Sequence, residues 1–122
     1  MIKLAIVGTG DMAHEHAKAF NKMDDVKIVA ACDVKKHQLV DFVNTYNIEY
    51  SNTSFDELLS SCEVDAISNT TPDSFHKEIA IKSLRNNKHI FSEKPLATNY
   101  ADALEMYEET TKKKLINKTK NI

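Results

Sequence analysis

Glycine and proline are almost missing. The 122-residue chain holds two of each, where average usage of about 7% Gly and about 5% Pro would supply several times as many. That scarcity excludes collagen-like chains and Gly/Pro-rich disordered ones. Tryptophan is absent. No apolar run comes near the ~20 residues that span a bilayer, so no membrane partner is expected. The opening Met1–Gly8 is too short and wrongly flanked for a secretory signal. Cysteine is scarce too. Cys32 and Cys62 stand 30 residues apart and make no C-x-x-C pair. Two such cysteines without a signal read as free thiols in a reducing cytoplasm, where they act as small apolar packing residues.

Charge of one sign is also lacking. Sixteen basic residues face 18 acidic ones, a formal net charge of -2, which gives no support to nucleic-acid binding. The exception is the end of the chain. Residues 112–122 hold five Lys and no acid, leaving 11 basic and 18 acidic residues, or -7, over 1–111. That run is read as a helix C-terminus and a frayed strand, where cations favour the helix dipole, rather than as a basic tail for an anionic partner. Apolar residues make up 42%, enough for one packed core of modest stability.

Short apolar runs alternate with helical patterns. Residues 2–7 and 27–32 read as buried strands, 48–50 as a short third strand, 64–69 as a fourth and 89–92 as a fifth. Between them, Met12, Ala13, His16, Ala17, Phe20 and Met23 share a helical face, as do Leu39, Phe42, Val43 and Tyr46. Ser54–Glu57 has the capping-box form. Thr71–Pro72 starts a helix through Leu84, since Pro fits a first turn. A last helix is expected from about Thr98, with Ala101, Leu104 and Tyr107. Lys114–Ile116 could open a sixth strand, but residues 117–122 do not continue the pattern. Strands joined by helices predict an α/β fold of three layers, a doubly wound parallel sheet between helices.

Both glycines fall together. Gly8-Thr9-Gly10-Asp11-Met12-Ala13 has the form G-x-G-x-x-A between a strand and a helix, the context of a dinucleotide fingerprint. Gly8 permits the tight turn, Gly10 lets backbone approach a pyrophosphate, and Ala13 keeps helix close to strand. Thr9, Asp11 and Met12 complete the loop, whose free N–H groups suit phosphate. Asp33 follows 23 residues after Gly10. Its carboxylate would accept ribose hydroxyls and repel a 2′-phosphate, which points to NAD, with NADP still possible because Lys35 and Lys36 lie beside it.

Both prolines stand just past expected strands, in Thr70-Thr71-Pro72-Asp73-Ser74-Phe75-His76 and Ser92-Glu93-Lys94-Pro95. With the glycine loop, His16 and Asp33, these segments make the chain resemble the N-terminal domain of the Gfo/Idh/MocA oxidoreductases over about residues 2–111. Its motifs are G-x-G-x-x-A/G with a following His, an acid after the second strand, T-P-x-x-x-H and E-K-P. Asp73 departs from the Asn of many members. The resemblance implies that Glu93 contacts the nicotinamide-side ribose and that Lys94 lies between cofactor and substrate as the catalytic residue. Lys suits that place because burial beside a nicotinamide cation lowers its pKa, and Pro95 restricts where it points. Thr70, Thr71 and Pro72 would border the cofactor. His76 either lines the nicotinamide end or makes hydrogen bonds at a helix N-terminus. His16 would support the glycine loop from behind. His14, His37 and His89 show no partner pattern, so no metal site is read.

The implied activity is NAD(P)-dependent hydride transfer with a sugar or polyol hydroxyl as the small-molecule substrate. Assembly as a homo-oligomer is also implied. Family members continue into a second α+β domain that supplies the substrate pocket. Residues 1–116 are therefore expected to be the NAD(P)-binding domain, with 117–122 a basic tail or truncated start of the next. Truncation by a frameshift at Lys112–Lys114 is one expectation. A non-catalytic NAD(P)-binding module, or cofactor domain, is the alternative.

Overall fold

A computed structural model describes residues 1–93 and 117–120. The expected helix from Thr98, and Lys94 and Pro95, lie outside these residues. Six strands form one parallel sheet: β1 (Ile2–Val7), β2 (Val26–Cys32), β3 (Tyr50–Asn52), β4 (Ala66–Asn69), β5 (His89–Glu93) and β6 (Asn117–Lys120). Their order across the sheet is β3-β2-β1-β4-β5-β6. The helices are α1 (Asp11–Asn21), α2 (Lys36–Tyr46), α3 (Phe55–Ser61) and α4 (Asp73–Arg85). This is the doubly wound α/β arrangement that the alternating pattern predicts. No helix among the described residues is long and apolar enough to cross a membrane.

The side-chain alternation of β1 separates two cores. Leu4 and Ile6 point to one face, where they meet Ala13 and Ala17 of α1 and Leu39 and Phe42 of α2. Ala5 and Val7 point to the other, against Phe55 and Leu58 of α3 and Ile79 of α4. Buried on both faces, β1 must be apolar at successive positions, as its sequence is. The β1–β2 register slips between Leu4 and Ala5, so that Leu4 faces Ile28 and Ala5 faces Ala30. Val29 is the extra residue, and the slip keeps Ile28 and Ala31 in the same core as Leu4.

The helix ends explain part of the glycine scarcity. α2 stops at Asn47 (φ 56°, ψ 48°), in the left-handed region, and Asn87 (φ 62°) holds a similar place after α4. Asn is the side chain that best tolerates that conformation, so glycine is not needed there. The Asn47 turn also corrects the third strand. Ile48 N donates to Val43 O at 3.0 Å, closing the helix, and Ile48 then packs into the core. The strand begins only at Tyr50.

Other boundaries move for local reasons. Ser54 caps α3, its hydroxyl accepting from Glu57 N at 3.3 Å. The reciprocal half of the capping box does not form, because Glu57 Oε2 accepts instead from Asn52 Nδ2 at 3.1 Å. Pro72 stands at the N-cap of α4, one place before the helix. Residues 117–120 form the edge strand β6, where a frayed strand was expected: they pair in parallel with β5, Ile90 to Asn117 through Glu93 to Lys120. An edge strand is held by backbone hydrogen bonds from one neighbour, which no side-chain pattern need announce.

The strand ends are level. Val7 pairs with Cys32 and with Asn69, and Asn69 pairs with Ser92. The segments that follow β1, β2 and β4 therefore leave the sheet side by side at its carboxyl edge, on both sides of the β1–β4 switch point, where β5 also ends.

Candidate functional site

Gly8 opens the site in a conformation that only glycine adopts freely. Its φ is +88°, and a Cβ there would stand 2.7 Å from Thr70 O and 2.9 Å from Thr71 N. Thr70 fixes the approach of the β4 loop: its N donates to Val7 O at 2.9 Å, and its Oγ1 donates to Gly8 O at 2.7 Å and lies 3.1 Å from Val7 O. Gly10 is different. Its φ of -81° suits any residue, and a Cβ there would meet nothing nearer than Gln38 Nε2, at 3.9 Å. Packing among the described residues does not require glycine at position 10. Close approach of a bound group would.

Gly10 is also the N-cap of α1, with no side-chain cap. The first N–H groups of a helix have no partner within it, and together with the helix dipole they favour an anion. Behind the loop, buried His16 Nδ1 lies 2.7 Å from Ser68 Oγ, tying α1 to β4.

Asp33 is built into the same loop. Its Oδ2 accepts from Thr9 N and Thr9 Oγ1, each at 2.8 Å, and from Gln38 Nε2 at 2.9 Å. Its Oδ1 accepts from Lys35 N at 2.8 Å. Partial burial alone would raise the carboxyl pKa, but these bonds together outweigh it and hold Asp33 below its ordinary value. Neighbouring Cys32 is buried, and burial with the adjacent Asp33 charge pushes its thiol up to about 11. It is a packing residue, not a nucleophile. Both cysteines are free.

These elements wall a cleft of about 620 Å³ at the carboxyl edge, within the roughly 300–1,000 Å³ range of small-molecule and cofactor sites. Gly8, Thr9, Gly10, Asp11, Met12, Asp33, Thr70, Thr71 and Pro72 all line it. The structure thus gathers these sequence-selected residues into one wall. Apolar groups stand at its rim: Met12, Val34 and Phe75 line the cleft yet remain 40%, 77% and 47% exposed.

The sequence profile of the Gfo/Idh/MocA oxidoreductases, described as having an NAD-binding Rossmann fold, matches residues 2–119. The chain belongs to this family. It is 30% identical over 115 residues to the myo-inositol 2-dehydrogenase of Thermotoga maritima, covering 94% of this chain and 34% of that protein. It is 36% identical over 107 residues to the 2,7-anhydro-N-acetylneuraminate hydratase of Escherichia coli, covering 87% of this chain and 28% of that one. Among solved structures, the WlbA dehydrogenase of Chromobacterium violaceum, in complex with NADH and UDP-GlcNAcA, superposes with a TM-score of 0.93 at 28% identity. That match covers 98% of this chain and 34% of the other. The family member described here thus spans about a third of the length of these relatives.

Within this Gfo/Idh/MocA chain the remaining selected residues fall in different places. Glu93 ends β5, level with the β4 loop. Lys94 lies outside the described residues. His76 does not line the cleft; Phe75 does. His76 is 4% exposed and its Nδ1 has no hydrogen-bond partner among the described residues. Its carbonyl oxygen accepts from Asn69 Nδ2 at 3.1 Å.

Two participants escaped the sequence reading. Gln38 reaches Asp33 and Thr9 from α2. Asn69 organises the β4 loop, with Oδ1 accepting from Thr71 Oγ1 at 2.6 Å. Gln38 meets Thr9 across 29 positions, a distance that no local pattern marks, whereas the Asn69–Thr71 contact spans only two residues of one loop.

Proposed function

We propose that the cleft binds a nicotinamide dinucleotide, NAD in preference to NADP, and that the chain provides the cofactor half of an oxidoreductase acting on a sugar or polyol hydroxyl. The observation that carries this reading is Gly10, whose missing Cβ nothing among the described residues requires. In this reading the backbone of Gly8, Thr9, Gly10, Asp11 and Met12 cradles the pyrophosphate, whose charge meets the start of α1. Asp33 accepts from the adenosine ribose, and Met12, Val34 and Phe75 offer apolar surface to flat rings. Thr70, Thr71 and Pro72 border the far side. The names of relatives as dehydrogenases favour an oxidoreductase over a non-catalytic module.

The bound cofactor supplies hydride acceptance. The chain's own residues hold and orient it, and handle the proton that leaves the substrate hydroxyl. Lys94 is proposed for that proton and Glu93 for the nicotinamide-side ribose, both on the family resemblance. His76 is proposed to support this end from α4. Two free cysteines support a reducing, cytoplasmic setting. A small sugar- or polyol-class substrate and assembly of identical subunits are proposed in the same way, on the relatives alone.

A fluorescence titration of the 122-residue chain with NADH and with NADPH tests the cofactor reading. Saturable binding, tighter for NADH, is expected. Binding of neither overturns it. Substrate class is tested by turnover of an inositol and sugar panel, in a protein that joins this chain to a relative's following domain. Turnover lost in the Lys94→Ala variant, with NADH binding kept, is expected. Unchanged turnover removes Lys94 from catalysis.

A further inference from the structure

Asp33 is unevenly engaged. Each carboxylate oxygen offers about two lone-pair sites. Oδ2 already receives three donors, Thr9 N, Thr9 Oγ1 and Gln38 Nε2. Oδ1 receives one, Lys35 N. A ribose hydroxyl that approaches Asp33 therefore finds its open acceptor on Oδ1. Gln38 is the only one of these donors on a side chain from α2. Its Nε2 also lies 3.4 Å from Thr9 Oγ1 and 3.9 Å from where a Gly10 Cβ would stand. The amide thus spans the carboxylate and the phosphate loop, and it lines the cleft.

We propose that Gln38 is a specificity-determining positioning residue: its amide pins Asp33 so that Oδ1 alone meets the adenosine ribose, and the carboxylate so fixed makes the chain prefer NADH to NADPH. The inference rests on the dinucleotide reading above. Its logic is a balance of charges. Lys35 and Lys36 follow Asp33 after one residue, Val34, and would favour a 2′-phosphate. A carboxylate held still against the loop opposes them, while a released one can rotate away and leave the two cations to act. Gln38 is neutral, so it holds Asp33 without cancelling its charge.

Gln38→Met removes the donor at nearly constant length and adds no charge. The variant's melting temperature reports whether it folds, and two readouts then follow in the full chain. In ligand-free protein, carbon NMR of the Asp33 carboxyl should show a higher titration midpoint in the variant, because a hydrogen bond to the charged form is gone. In fluorescence titrations, the preference for NADH over NADPH should fall about fivefold. An unmoved Asp33 titration, or equal weakening of both cofactors, overturns the proposal. A wild-type chain that binds both cofactors alike also overturns it and leaves the dinucleotide reading standing. A wild-type chain that binds neither removes that reading, and the proposal with it, before any variant is made.

Discussion

Gly8 and Thr70 meet backbone to backbone: a Cβ on Gly8 would lie 2.7 Å from the Thr70 carbonyl oxygen, and Thr70 Oγ1 closes the contact with a 2.7 Å bond to Gly8 O. Gly10, two residues on, has no such neighbour. In the proposed dinucleotide reading the two glycines of one fingerprint therefore have separable duties, one in the fold and one toward a ligand. Gly8→Ala combines a left-handed backbone with a backbone clash and should cost about 3 kcal/mol or more. Gly10→Ala should stay within about 0.5 kcal/mol of wild type yet weaken NADH binding at least about tenfold, because the new methyl occupies the phosphate path. Denaturant melts and NADH titrations of both variants check this. Equal losses of stability would place both glycines in the fold.

Asp33 gives a pH dependence of defined sign. Its folded pKa lies below the ordinary 3.8, so the folded chain binds this proton less readily than the unfolded chain. The stabilisation it brings is complete above that ordinary value and is lost as pH falls through the lower, folded one. The increment is small, since the side chain is only half-buried. Melting temperatures of wild type and Asp33→Asn should differ by a constant amount from about pH 5 to 8 and converge below about pH 4. A difference that grows toward acid would reverse the assignment. At neutral pH, Asp33→Ala should weaken NADH binding more than NADPH binding.

Cys32 acts at the opposite end of the scale. With its pKa raised from 9.0 to about 11, it stays a buried thiol at neutral pH, and its stabilising effect is full below 9.0 and lost as pH rises toward 11. Iodoacetamide at pH 8 should leave Cys32 unmodified in the folded chain, while half-buried Cys62 reacts slowly. Mass spectrometry of the digested protein reads both sites. Rapid labelling of Cys32 would show that the β2 end opens.

The sequence announces what is local and hides what is tertiary. β1 is legible because a strand buried on both faces must be continuously apolar. Gly8 is legible because its φ and its clearance allow few alternatives, and Ser54 because a cap is a contact over three residues. The third strand misleads: Ile48 is apolar like a strand residue, but the left-handed turn at Asn47 commits its N–H to α2. Residues 117–120 mislead in the other direction, since an edge strand is specified by its partner's backbone. Gln38 and Asn69 look like surface amides until α2 and β4 are placed beside the carboxyl edge.

His16 and Ser68 offer a test of how the glycine loop is held. The imidazole Nδ1 and the hydroxyl lie 2.7 Å apart, and the two residues are 1% and 0% exposed. Removing either one breaks this bond and leaves the other group buried without it, a loss that the double variant does not suffer twice. His16→Leu and Ser68→Ala should each destabilise by about 1–3 kcal/mol. The double variant should lose less than the sum, with a coupling of about 1 kcal/mol. Denaturant melts of the four proteins give that cycle directly. Strict additivity would mean that the two groups are held by other partners. Because His16 rides on α1, one turn after the loop, the coupled loss should also appear in NADH affinity. The single variants should weaken binding, since α1 then shifts against β4 and the helix start no longer faces the phosphate path.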